Sequence, residues 1–136
     1  MNKSALLYNT HQKFLKIGLC ILPMTELEAI VSANYMGFGT TADERMFSLT
    51  DLRNLIQRQK EQSAGMDIRY DIQTIYSRLS PHGLSAFLAD DITLFLKMGD
   101  EEIQIQLRFS SMYEFLDNKW IAVHSHGSKP ENIATE

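Results

Sequence analysis

From Ile103 to Leu116 the chain keeps one alternation: Ile103, Ile105, Leu107, Phe109, Tyr113 and Phe115 fall on odd positions, against Gln104, Gln106, Arg108, Ser110 and Glu114 on even ones. Successive strand residues point to opposite faces, so this pattern predicts a long strand with an apolar odd face turned to a core. Its neighbours in sequence supply partners. Leu84 to Met98 is apolar on both faces, which suggests a central strand covered on both sides, and Gly99-Asp100 turns it back. Asp67 to Leu79 alternates as well, with Ile68, Tyr70, Ile72 and Tyr76 on one face, and ends in the turn signal Ser80-Pro81-His82-Gly83.

The last strand runs from Lys119 towards Pro130. Leu116-Asp117-Asn118 reads as a hairpin loop, and the choice between two and three residues decides the register. A three-residue loop with Asn118 left-handed puts Ile121 and Val123 on the face of Phe109 and Phe115. Arg108, Ser110, Trp120, His124 and His126 then share the other, more polar face.

Helices come first. Leu7, Phe14, Ile17 and Ile21 recur at helical spacing, so a helix is expected from Ser4 to about Leu22, stopped by Pro23. Thr25-Glu26-Leu27-Glu28 has the pattern of a capping box, predicting a short second helix to about Ser32. Asn34 to Phe38 turns extended, and Gly37 and Gly39 bracket Phe38 as though the backbone bends or approaches something closely. A third helix, capped by Ser48 or Thr50 and closed near Gly65, buries Leu49, Leu52, Leu55 and Ile56. Helices followed by a meander of strands give an α+β class: N-terminal helices packed on a strongly curved antiparallel sheet.

The 136 residues make one ordinary domain, set at 1–128, with 129–136 as a polar tail or linker. Thirteen Lys and Arg against seventeen Asp and Glu give a net charge of -4 with no basic stripe, which argues against nucleic acid as a partner. The apolar run from Ile17 to Pro23 is too short for a membrane span, and no signal-peptide cleavage site follows it. With Cys20 the single cysteine no internal disulfide can form, so the cytoplasm is the expected location. No phosphate loop or nucleotide fingerprint occurs, and no cofactor is expected.

The ending Lys119-Trp120-Ile121-Ala122-Val123-His124-Ser125-His126-Gly127-Ser128-Lys129-Pro130 resembles the closing strand of the SnoaL-like group of the nuclear transport factor 2-like superfamily. It is also similar to the ending of the calcium/calmodulin-dependent kinase II association domain. Tyr35 to Glu44 resembles the group's Gly-Phe-Gly-Thr loop, and Ala86–Thr93 and Arg108-Phe109-Ser110 resemble two middle strands. The resemblance implies a cone with a pocket between helices and sheet. It leaves function open, because the superfamily carries isomerases, cyclases, dehydratases, sensors and assembly domains.

Candidate residues follow from both readings. The expected pocket holds Phe38, Phe47, Tyr70, Phe87, Asp91, Phe95, Phe109, Ser111 and Tyr113. The odd face of the Leu84–Met98 strand resembles the family's pocket side, which nominates Asp91 over Asp90 as a general base, with Tyr70 as its hydroxyl partner. The association domain offers basic pocket residues for acidic ligands, but the matching positions here read Asp91 and Ser111, and that departure speaks against an acidic ligand. His124 and His126 project together, yet third and fourth metal ligands are not evident, so no metal is expected. Arg108, Trp120, His124 and His126 are instead expected at a homodimer interface. The leading expectation is a non-catalytic module that binds a small, largely apolar molecule or dimerises, either free or as the sensory front end of a longer signalling protein. The alternative is a small-molecule isomerase, cyclase or dehydratase.

Overall fold

A computed structural model describes residues 2–131. Helix α1 (Lys3–Gly18) is capped by the Asn2 side chain, which accepts from the Ala5 amide at 2.8 Å. It buries Leu7, His11, Phe14, Leu15 and Ile17 on one stripe. It ends four residues before the expected stop at Leu22, because Cys20 takes a left-handed conformation (φ 63°) and turns the chain out of the helix. The second helix is a single turn, α2 (Leu27–Ile30), preceded by a 3₁₀ turn over Met24–Glu26. Thr25 lies inside that 3₁₀ turn, so the expected capping box does not form.

The chain then enters β1 (Val31–Phe38), pairs briefly with β2 (Arg45–Met46), and passes into α3 (Leu49–Gln62), whose cap is Ser48 accepting from the Asp51 amide. Four long strands follow: β3 (Asp67–Leu79), β4 (Ser85–Met98), β5 (Glu101–Leu116) and β6 (Lys119–Ser128). The sheet order is β2-β1-β6-β5-β4-β3. The meander is antiparallel as expected, but β1 joins β6 in parallel, so the open sheet is mixed.

Helices cover one face of the sheet, where Leu7, Phe14, Ile17, Leu52, Ile56, Leu88, Tyr113 and Trp120 join one core. The odd face of β5 is that core face. On β4 the covered row is the even one, Ala86, Leu88, Asp90 and Ile92, while Phe87 on the odd row is 41% exposed. A single chain therefore covers β4 on one face only, not on both.

The β5–β6 hairpin is tighter than expected. Leu116 pairs with Lys119, and the two residues between them, Asp117 (φ 52°) and Asn118 (φ 63°), are both left-handed, as a type I′ turn requires. Trp120 thus pairs with Phe115 and points into the core, where it is 1% exposed. Its expected place at an interface is corrected: the indole packs against Phe115 with ring centres 5.0 Å apart, and its Nε1 donates to the Lys3 carbonyl at 2.9 Å. A bulge then shifts the register, since Met112 pairs with His124 but Tyr113 with Ala122. Beyond it Ser125 and Gly127 face inward, and His124 and His126 face out. A second bulge, between Thr74 and Tyr76 on β3, moves Tyr76 to the outer face beside Phe87.

Candidate functional site

Between α1, α3 and the inner face of the sheet lies a cavity of about 440 Å³. Its walls are apolar: Leu52, Leu55 and Ile56 from α3 face Ile92, Leu94, Ile105 and Leu107 from the sheet. The floor is formed by Phe14, Tyr35, Phe109 and Ser125. The Tyr35 hydroxyl is hydrogen-bonded to Ser125. It lies over Gly37, where an added Cβ would come within 2.7 Å of the Ser125 carbonyl and closer still to the tyrosine hydroxyl. Gly37 is therefore a close-approach glycine, as its position beside Phe38 suggests.

Beneath that floor runs a buried polar chain. His11 Nε2 lies 2.9 and 3.0 Å from the two Asp90 carboxylate oxygens, and its Nδ1 lies 2.6 Å from the Tyr113 hydroxyl. Thr74 donates to Asp90 at 2.7 Å. A carboxylate only accepts, so Nε2 carries a proton, and in the neutral ring Nδ1 accepts from Tyr113. The Phe14 ring packs against Tyr35, Tyr113 and Phe109, which separates the chain from the cavity. Ser111 Oγ, fully buried beside it, has no hydrogen-bond partner among the described residues.

Burial raises the Tyr113 pKa well above the usual tyrosine value, and Asp90 adds to the rise. Burial also raises Tyr35, against its bond to Ser125, and raises Tyr70, with Cys20 adding to it. The sign is fixed by which state holds the proton. Above pH about 10 the unfolded tyrosines ionise while the folded ones do not, so the stability they contribute is full below that pH and is lost as pH rises through the folded values. Urea midpoints measured from pH 8 to 11 should fall, and the fall should be shallower in Tyr113→Phe. An equal slope in both proteins would show that Tyr113 does not carry the effect.

The expected pocket residues divide into three groups. Phe38, Tyr70 and Phe109 line the cavity. Ser111 and Tyr113 are buried behind its floor. Phe47, Phe87, Asp91 and Phe95 lie elsewhere: Phe47 is 60% exposed beneath the Arg45 guanidinium, Phe95 carries the Arg69 guanidinium 4.7 Å above its ring, and Phe87 meets Tyr76. Asp91 opens onto a polar depression on the outer face with Asp71, Gln73, Thr93 and Arg108. The placement of Asp91 in the pocket is thus corrected, and Asp91 and Tyr70 stand on opposite faces of the sheet. The parity of β4 carried the signal, because Ala86, Leu88, Ile92, Leu94 and Leu96 share the even row with Asp90. His11 was readable too, from its i+4 and i−3 spacing to Leu7 and Phe14.

Two of the remaining interface candidates, His124 and His126, face outward: His124 Nδ1 lies 2.9 Å from the Met36 carbonyl and His126 packs on Phe38. Arg108 reaches both the outer depression and the cavity mouth. Among the described residues no group of three or more His, Cys, Asp or Glu is placed to hold a metal. No described helix is long and apolar enough to cross a membrane. Lys129 lines the cavity mouth and Pro130 the outer depression, so the start of the expected tail packs against the fold; residues 132–136 of that tail lie outside the described residues.

Residues 23–132 match the family model of the SnoaL-like domain. The chain belongs to that family. A comparison with curated proteins finds no match. Among solved structures, this SnoaL-like chain resembles a putative calcium/calmodulin-dependent protein kinase II association domain from Xanthomonas campestris, at 19% identity and a TM-score of 0.66, covering 96% of this chain and 87% of that one. An NTF2-like protein of unknown function from Pseudomonas putida KT2440 matches at 13% identity and a TM-score of 0.75, over 98% and 92%. The association domain of C. elegans CaMKII matches at 13% identity and 0.68, over 93% and 95%. Likeness at these identities establishes the fold, an NTF2-like cone.

Proposed function

We propose that this SnoaL-like chain is a binding module that holds a small, largely apolar molecule in its cone and works as a homodimer. The observation that carries the first half is the cavity itself: about 440 Å³ falls within the usual range for small-molecule sites, and its walls are aliphatic and aromatic. The nominated acid-base pair, Asp91 and Tyr70, does not meet across it, so binding accounts for the cavity better than that catalytic set does. The same module could stand alone or form the sensory part of a longer signalling protein.

Pairing is supported by the outer face of the sheet. Phe87, Met112, His124 and Met36 are successive cross-strand partners on β4, β5, β6 and β1, and form one row across four strands. Three of the four are apolar and at least 37% exposed, an unusual outer surface for a monomer. The likeness in fold to association domains points the same way.

Fluorescence titration with a neutral polarity-sensitive naphthalene dye tests the cavity, and native mass spectrometry at micromolar concentration tests the pairing. Leu107 lines the cavity wall and is only partly buried, so Leu107→Trp should fill the space and weaken dye binding by about tenfold or more, equivalent to ~1.4 kcal/mol. Undiminished affinity in that variant would remove the cavity as the binding site. A monomer at every concentration would remove the dimer.

A further inference from the structure

The polar groups along the cavity sort into those already engaged by the protein and those that are not. Inside, the Tyr70 hydroxyl donates to the Leu19 carbonyl at 2.6 Å, Cys20 Sγ to the Ile56 carbonyl at 3.7 Å, and Tyr35 and Ser125 bond to each other. Gln59 and Gln62 add polar groups on the α3 side, but these four groups are engaged and the facing walls are aliphatic, so a guest packed against the sheet presents an apolar body there.

The mouth is different. Arg108 and Lys129 both line it, both are exposed, and among the described residues neither takes part in an ion pair. Asp91, the cross-strand neighbour of Arg108, does not reach it within 4 Å. Among the described residues the one carboxylate at the mouth, Glu44, is folded back on its own loop: it accepts from the Thr41 hydroxyl and packs over Gly39. In a chain of net charge -4, two cations without an ion-pair partner among the described residues, beside an apolar cavity, form a local exception to the overall field.

Resting on the reading of the cone as a binding site, we propose that its ligand is an amphipathic monoanion, an aliphatic or aromatic body with one carboxylate or comparable anionic head, bound body inward with its head between Arg108 and Lys129. The guanidinium presents a planar fork that matches a carboxylate, and the lysine ammonium adds a second, mobile donor.

The test compares octanoate with octan-1-ol, which share a chain length and differ in the head, by calorimetric titration into the whole chain at pH 7 and low salt. Octanoate is expected to bind about tenfold more tightly than the alcohol. The preference should shrink in 0.5 M salt, because the head lies at an exposed rim where charges are screened. In the double variant Arg108→Gln, Lys129→Gln the preference should vanish, octanoate losing far more affinity than octan-1-ol. Equal affinities in the parent protein, or a preference kept by the double variant, would overturn the anionic head and leave the apolar cavity standing. Failure of both ligands to bind would overturn the cavity reading and this inference together.

Discussion

Trp120→Ala is expected to destabilise the folded chain by about 3–5 kcal/mol, the range for removing a large aromatic from a core. The indole is 1% exposed, closes the end of the core against Phe115, and ties the start of α1 to the sheet through its bond to the Lys3 carbonyl. Lys3 is itself fixed there, with its ammonium 4.5 Å over the Phe115 ring and 2.9 Å from the Gly83 carbonyl. Losing the indole therefore opens a cavity and frees the helix end at once. For a domain of this size the melting temperature should drop by roughly 10–20 °C. An interface tryptophan would behave differently, since its loss would lower stability in proportion to the dimer it breaks and would disappear on dilution. Melting followed over a hundredfold range of concentration separates the two. The loss should be the same at every concentration, and Trp120→Phe, which keeps most of the volume, should recover more than half of it.

The alternation in β5 is legible because its ladder with β4 keeps phase from end to end, and α1 and α3 are legible from their period, α3 also from its Ser48 cap. The hairpin after Leu116 holds two left-handed residues, of which Asn118 is a favoured type and Asp117 a tolerated one, so a two-residue and a three-residue turn read almost alike. The shorter turn sends Trp120 inward, and the bulge opposite Met112 then restores the outward phase for His124 and His126. A bulge leaves no composition signal, so one wrong turn length misplaced Trp120 while leaving the two histidines on the right face. The same limit applies to Tyr76 on β3, which a bulge carries to the outer face.

Asp91 fails for another reason. Two adjacent aspartates on a strand must face opposite ways, and local pattern favoured the inward turn of Asp90, whose row is otherwise apolar; resemblance to a family pointed to the odd row instead. The cavity walls were partly legible, since Phe38, Tyr70 and Phe109 line it as expected. Tyr35 and Ser125 at its floor were not, because their juxtaposition depends on the parallel pairing of β1 with β6, which joins residues 90 positions apart.

Asp90→Leu should be as damaging as the tryptophan change, by about 3–5 kcal/mol, because it leaves its buried partners exposed to an apolar neighbour. The carboxylate takes hydrogen bonds from His11 and Thr74, and His11 in turn takes the Tyr113 hydroxyl, so one substitution strips partners along the whole chain. Most of that cost lies in the abandoned donors. His11→Leu alone should likewise be costly, since it orphans Asp90 and Tyr113. Removing both members removes the imidazole and carboxylate together, so His11→Leu, Asp90→Leu should be less destabilised than the sum of the two single changes, by about 0.5–3 kcal/mol. Urea denaturation of the four proteins gives the coupling directly. A sum that is simply additive would mean that the 2.9 Å contact between imidazole and carboxylate carries no energy of its own.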